Sequence, residues 1–500
     1  MKRFICLLLT ISLSAAFVSC SVSGDGKQDT TAFSTDSDET AENTSAESTL
    51  YFEPDTLPEN LDLGNETVVI LTVDGSSWKN EIFVEELSSE PVSDSVFNRE
   101  KYVEDRLNVS IEPSMCVPGK YNETVSLQHA SDDNNYQAFA ARTVYFAPLV
   151  FDNILTDLYD LNYLDLSKPW WSDLFTAESE IADHLFLATG SLALSINKFK
   201  YVIFYNKRLA ESYKSAYPDL EDIYSLVVDG KWTLDKLQEL TEEIYEDVNG
   251  NSERDEEDVY GFGIVTDAPI DTVWSSFDMR ILGKDDDGWF SMELNKDKVF
   301  SSLDMLVKLI HQSTGTFNQD GISMAPLEQK FASGSILFIE GMLMSAETSS
   351  LRNMQDDYGM IPFPKYDVSQ KEYYSYAWDQ YISFSIPATN PNPDAAAAVL
   401  EAMASYSYRE TVPIYLDIAL KGKYMSDAKS RRMVDIIVDG FRIDSAWIYS
   451  RSTGGFGTSF RSAVAGNSSN YASDYTKATM MVNIAIKDLK KKHADNWSDG

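Results

Sequence analysis

The chain has 500 residues, 43% of them hydrophobic and 12% aromatic, and carries a formal net charge of −38. That length exceeds what one compact core usually serves, so two domains or lobes are expected. The charge argues against nucleic acid and against an anionic main ligand, because long-range attraction would have the wrong sign. A neutral solute, a cation or a basic partner fits it.

The first residues have the shape of an export leader. Lys2 and Arg3 precede an apolar run over 4–18, too short to span a membrane, and Ser19-Cys20 comes directly after it. Cysteine after a small residue resembles a bacterial lipobox, in which Cys20 is lipidated and becomes the first mature residue. Phe17 departs from the leucine usual there, and an ordinary signal peptide is the alternative. Residues 20–61 are rich in Ser, Thr, Asp and Glu and are expected to form a disordered acidic tether. Besides Cys6 and Cys20 the only cysteine is Cys116, so no intrachain disulfide framework is expected.

Thr67 to Val73 is a β-rich apolar run ended by Asp74-Gly75. Ser95 to Leu107 has helical periodicity, and Val109 to Ile111 gives a second strand. This strand–helix–strand rhythm predicts an α/β layer with parallel strands. Ala138 to Val144 is a further strand, with Tyr145-Phe146 at its carboxyl end, where open α/β sheets hold their ligands. His184 to Gly190 gives a strand and a turn. Tyr201 to Lys207 gives another strand, leading into a helix over Arg208–Tyr213. Thr233 suits the N-cap of a helix carrying Leu237, Leu240 and Ile244 on one face, with Trp232 as a staple at its start. Trp170 and Trp171 are expected to be structural. No fixed-period repeat is present.

An ordered set of segments carries a resemblance: FYNKRLAE, GKWTLDKLQELTEEIYEDVNGNSERDEEDVYGFG, FASGSILFIEGM with DDYGMIPFPKYD, and FSIPATNPNPDAAAAVLEAMA. Together they resemble the extracellular solute-binding lipoproteins of bacterial ABC importers, in the carbohydrate-binding family that includes maltose-binding protein. The resemblance implies a two-lobed α/β fold with crossover strands and a ligand cleft between the lobes. It implies lobe 1 over 62–198 and 330–377, and lobe 2 over 199–329 and 378–495. It further implies a monomer that meets ABC permease subunits and touches the membrane only through its lipid.

A sugar offers apolar C–H faces and a rim of hydroxyls, so its site needs aromatic platforms with a few polar side chains. Trp274 in DTVWSSFDMR stands where carbohydrate-binding relatives place a stacking ring, with Asp278 and Arg280 beside it. Trp378 and Asp379 fall at the return crossover. Trp447 with Tyr449, and Phe456 with Ser459, correspond to late loops that approach the cleft, and Tyr145 and Glu340 face them. Each tryptophan could equally be a core filler. The FIEGML segment departs from the family in lacking an aromatic after its glycine.

Counting Asp247 as position one, Asn249, Asn251, Glu253, Asp255 and Asp258 fall at three, five, seven, nine and twelve. Alternating oxygen-bearing residues on a loop are how calcium is caged, so a structural Ca2+ is expected here, away from the cleft. Ser252 replaces the usual glycine and Asp258 the usual glutamate. The alternative is a solvated acidic turn. No zinc-ligand spacing, GxSxG elbow or phosphate-cradling GxxxxGK[ST] occurs, and no enzyme is expected. A sugar-binding subunit of an importer is thus the leading reading. A secreted glycosidase and a lipoprotein for peptides or signalling are the alternatives.

Overall fold

The computed structural model describes residues 53–497 apart from 76, 79, 320, 420–427 and 469. The leader, Cys20 and most of the expected tether lie outside the described residues. Twelve strands are assigned among the described residues: β1 (Glu66–Val73), β2 (Val109–Cys116), β3 (Ala138–Arg142), β4 (Tyr201–Asn206), β5 (Tyr245–Glu246), β6 (Val259–Val265), β7 (Leu282–Lys284), β8 (Phe290–Met292), β9 (Thr316–Gln319), β10 (Ile336–Met342), β11 (Tyr358–Pro362) and β12 (Ile382–Ser385).

The first sheet has the order β12-β3-β1-β2. Strand β1 pairs in parallel with β2 and β3, as the strand–helix–strand rhythm predicts, while β12 closes the edge antiparallel to β3. The helix linking β1 to β2 spans Pro91–Leu107, one turn longer than expected at its start, because Pro91 opens it and Asn108 ends it in the left-handed region. Its Arg99 is fully buried and donates to the Ile82 carbonyl at 2.8 Å and to Ser407 Oγ at 2.9 Å. Strand β3 stops two residues before the expected Val144. Thr143 turns the chain by donating its N–H and its hydroxyl to the Tyr381 carbonyl, both at 2.9 Å, and Thr143–Phe146 forms a single helical turn.

The expected strand over 184–190 is instead a run of isolated bridges, Ala188 to Phe384 and Gly190 to Trp171 among them. Gly190 is needed there: a Cβ would stand 2.1 Å from the Trp170 carbonyl oxygen. Trp170 and Trp171 are both buried, and Trp171 Nε1 donates to Glu401 at 2.8 Å, so their role is structural.

The second sheet has the order β11-β4-β10-β6-β5, with β9 also on β6. The helix Leu234–Thr241 is capped as expected, Thr233 Oγ1 accepting from Lys236 N at 3.2 Å. Gly261 of the YGFG segment lets β6 pass the end of this helix, since a Cβ would lie 2.5 Å from the Thr241 carbonyl oxygen. Trp232 directly precedes the Thr233 cap. It is buried against Phe338, with ring centres 5.6 Å apart, and donates from Nε1 to the Pro362 carbonyl at 2.9 Å.

The crossing points near 198/199 and 377/378 agree with expectation, but the assignment of the later strands to lobes does not. Strands β10 and β11, expected in lobe 1, pair with β4 in the second sheet, and β12, expected in lobe 2, pairs with β3 in the first. The 330–377 stretch thus stays with 199–329, and 378 returns to the first lobe. The helix Ala428–Asp439 then packs on β11, and Tyr471–Trp497 touches both β8 and the 147–152 turn.

Candidate functional site

The two crossovers form a short antiparallel ribbon. Tyr201 N donates to the Tyr376 carbonyl at 2.9 Å and Trp378 N to the Phe199 carbonyl at 3.0 Å. The ribbon delivers Trp378, Asp379 and Gln380 to the junction of the lobes. Trp378 meets Phe199 at 5.5 Å and Trp78 at 6.4 Å between ring centres, and Trp78 meets Phe199 at 6.0 Å. Three rings thus make one wall, with Trp78 and Trp378 half-buried. Trp78 is fixed by donating Nε1 to the Gln380 carbonyl at 2.8 Å. Its loop is tied down by Glu81, whose buried carboxylate accepts from Ser195 N at 2.7 Å and Ser195 Oγ at 2.6 Å. Burial pushes the Glu81 carboxyl up to about 7 against those two hydrogen bonds.

Arg142, the last residue of β3, lies with its guanidinium carbon 5.0 Å from the Trp78 ring centre and 4.2 Å from that of Tyr145. Arg451 stacks on the same Tyr145 ring at 3.7 Å. Arg142 Nη1 donates to Gln380 Oε1 at 3.2 Å, and Gln380 Nε2 donates to Asp379 at 2.9 Å. Burial raises the Asp379 carboxyl, while the Gln380 hydrogen bond and Arg461, Arg451 and Arg142 pull it back. Beside this group a crevice of about 490 Å³ opens at the carboxyl ends of β1 and β2, lined by Asp74, Trp78, Glu85, Glu86 and Met115 among others. That is the edge where parallel α/β layers hold ligands. Of the expected residues, Tyr145, Trp378 and Asp379 are therefore gathered here. Trp78, Arg142, Gln380 and Arg451 were not anticipated, although Trp78 and Arg142 lie close to the ends of β1 and β3.

The remaining expected residues lie elsewhere. Trp274 is buried edge-on against Phe456 at 5.8 Å and Phe460 at 5.2 Å, so Trp274 and Phe456 are core partners with no open face for a sugar. Trp447 is buried on Tyr376 at 5.4 Å and over Gly457, where a Cβ would come within 2.1 Å of its ring. Glu340 is buried in the second sheet, accepting from Thr272 Oγ1 at 3.0 Å; burial first, then the Asp271 charge, hold its carboxyl well above the ordinary range. Asp271 and Asp267 both pair with Arg461, at 2.6 and 2.8 Å. Asp278 is exposed at φ 52° and lines a separate crevice with Asp297, Lys298 and Tyr366. Arg280 pairs with Glu178 at 2.7 Å, tying the lobes together beside the Tyr449 hydroxyl, which donates to the Ser179 carbonyl at 2.5 Å.

The acidic loop is also remote from the aromatic wall in the fold, on the β5–β6 connection. Its oxygens are occupied by its own amides: Asp247 accepts from Gly250 N at 2.7 Å and Ser252 N at 2.9 Å, and Asn251 Oδ1 accepts from Glu253 N at 2.7 Å. Asp255 accepts from the Asn249 and Asn251 side-chain amides, and buried Asp258 accepts from Val248 N and Tyr245 OH. Among the described residues no group of three or more His, Cys, Asp or Glu is gathered so as to hold a metal ion. Ser252, in the usual glycine position, does take the left-handed φ of 63°.

No protein-family model and no curated protein matches the chain. Solved structures do. The GacH receptor of Streptomyces glaucescens, studied unliganded and with acarbose, has a TM-score of 0.52 at 13% identity, over 85% of this chain and 99% of that one. The maltose/maltodextrin-binding domain MalE from Bdellovibrio bacteriovorus, bound to maltotriose, gives 0.51 at 12% identity, over 85% and 100%. An ABC substrate-binding protein from Listeria monocytogenes in complex with cycloalternan gives 0.50 at 12% identity, over 86% and 99%. The chain has the two-lobed α/β fold of these binding proteins, as the resemblance implied.

Proposed function

We propose that the chain is the solute-binding subunit of an ABC importer, holding a sugar or oligosaccharide between its lobes and delivering it to permease subunits. One observation carries this reading: in a two-lobed fold, half-buried Trp78 and Trp378 share the lobe junction with Tyr145, Arg142, Asp379 and Gln380. Rings offer platforms for C–H faces, and the amide, carboxylate and guanidinium groups suit hydroxyls. Ligand capture by lobe closure then needs no covalent step. Isothermal calorimetry against a panel of mono- and oligosaccharides tests it. Saturable binding without product is expected; turnover of a bound glycan would overturn the reading in favour of a glycosidase.

The subunit is anchored on the outer face of the cytoplasmic membrane by lipid on Cys20 and works as a monomer. Among the described residues no helix is long and apolar enough to cross a membrane. Cys20→Ala is expected to release the protein from the membrane fraction. A structural Ca2+ on the 247–258 loop is proposed on its alternating oxygen-bearing residues alone, and Asp247, Asn251 and Asp255 would have to exchange loop amides for the ion.

A further inference from the structure

The arginines of the junction set a requirement that a neutral sugar leaves unmet. Arg142 and Arg451 both stack on the Tyr145 ring, at 4.2 and 3.7 Å. Among the described residues neither forms an ion pair with a carboxylate, whereas Arg461 pairs with two and Arg280 with Glu178. Arg142 is half-buried, makes one hydrogen bond to a neutral amide, and has a buried Nε with no acceptor. A half-buried guanidinium whose one hydrogen-bond acceptor is a neutral amide favours an anionic oxygen over a hydroxyl, since charge-assisted hydrogen bonds are about twice as strong. The chain has 41 basic residues against 79 acidic ones, so two unpaired arginines meeting at one ring do not reflect a surplus of positive charge.

We propose that the ligand is an acidic sugar whose carboxylate is held by Arg142 and Arg451 while its ring lies on the Trp78–Trp378 wall. This rests on the sugar-binding reading and names the class of sugar. It replaces the expectation, drawn from net charge, of a ligand that is not anionic, because net charge governs long-range approach whereas affinity is set by groups in contact. A carboxylate suits the site better than a phosphate. Asp379 already stands beside the arginines, and Asp74, Glu85 and Glu86 line the adjoining crevice, so two negative charges concentrated on one phosphate group meet more repulsion than a single charge on each ring.

Calorimetry on the soluble chain lacking residues 1–19 tests the proposal with four probes: digalacturonate, its neutral counterpart digalactose, maltotriose and glucose 6-phosphate. Digalacturonate is expected to bind at least tenfold tighter than digalactose. Exposed Arg451→Gln should lower digalacturonate affinity at least tenfold and shrink its advantage over digalactose. Arg451→Lys should recover only part, because an ammonium lacks the planar fork. Thermal unfolding of each variant verifies that the fold persists. Equal or tighter binding of either neutral sugar overturns the acidic-sugar proposal and leaves the sugar reading standing. Tighter binding of glucose 6-phosphate reassigns the arginines and overturns it likewise. No binding of any probe, with none across the wider panel, defeats both.

Discussion

Two clusters of aromatic rings in this molecule look alike in sequence and do different work. Trp274, Phe456 and Phe460 are ringed by other rings and buried, so their energy goes into folding. Trp78, Phe199 and Trp378 adjoin guanidinium, amide and carboxylate groups, and the two tryptophans keep part of their faces open. Under the proposed function, what separates a platform from a core filler is the neighbour, not the ring. A half-open indole beside unpaired arginines has somewhere to put a ligand; a closed indole has not.

The contrast can be broken most directly at Trp274. Trp274→Ala is expected to lose about 3–5 kcal/mol in urea unfolding, the usual cost of a large aromatic cavity; a loss confined to sugar affinity would reverse the assignment. At the junction, Glu81 anchors the Trp78 loop while buried, so pH should separate the regions. Its carboxyl is raised from 4.5 to about 7, meaning the folded state holds the proton more tightly than the unfolded one. Its contribution is therefore full below pH 4.5 and is lost as pH rises through 7. Glu81→Gln should gain on the parent by up to ~3 kcal/mol between about pH 5 and 8, seen as diverging melting curves; parallel curves would show that Glu81 is not buried as described.

Trp378→Ala should weaken sugar binding about tenfold, ~1.4 kcal/mol, with a smaller change in stability than Trp274→Ala. The reverse ranking in paired calorimetry and unfolding would make the two clusters equivalent. The smallest effect is expected at the acidic loop. Calcium should raise the melting temperature by about 1 °C, near 1 kcal/mol for a chain of this size, and Asp247→Ala should abolish that gain without touching sugar affinity. An unchanged melting temperature with calcium would leave the loop as a solvated turn.

Local signals located much of this fold. Alternation and apolar runs marked β1, β3 and β4, and the Thr233 cap and the helix after it were legible, whereas the crossing points came only from the family resemblance. The partition of 330–377 was not, because a strand's sheet partner lies far away in the chain: β10 pairs with β4 through Gly341 and Val202, a pairing no local pattern specifies. The candidate site was half legible for the same reason. Tyr145, Trp378 and Asp379 stood at strand ends or crossovers, where position hints at function. Trp274, Trp447 and Phe456 were placed by correspondence with the relatives' cleft loops, and packing decided otherwise. Arg142 and Arg451 acquire meaning only when the fold stacks both on one ring.

The crossover ribbon also dictates an order of assembly. All strands of the second sheet lie between Tyr201 and Pro362, so a chain emerging N-terminus first can complete that sheet while the first still lacks its edge strand β12. The bond that turns the end of β3, from Thr143 to Tyr381, spans 238 residues of sequence. Contacts of such separation form late, after the local ones have reduced the entropy of closing the loop. The segment inserted into the first lobe is thus ready before the lobe that contains it. Trp378 to Gln380, and later Arg451, arrive with the last stretches of chain, so a nascent protein truncated before them would carry a finished second sheet without these residues of the proposed site.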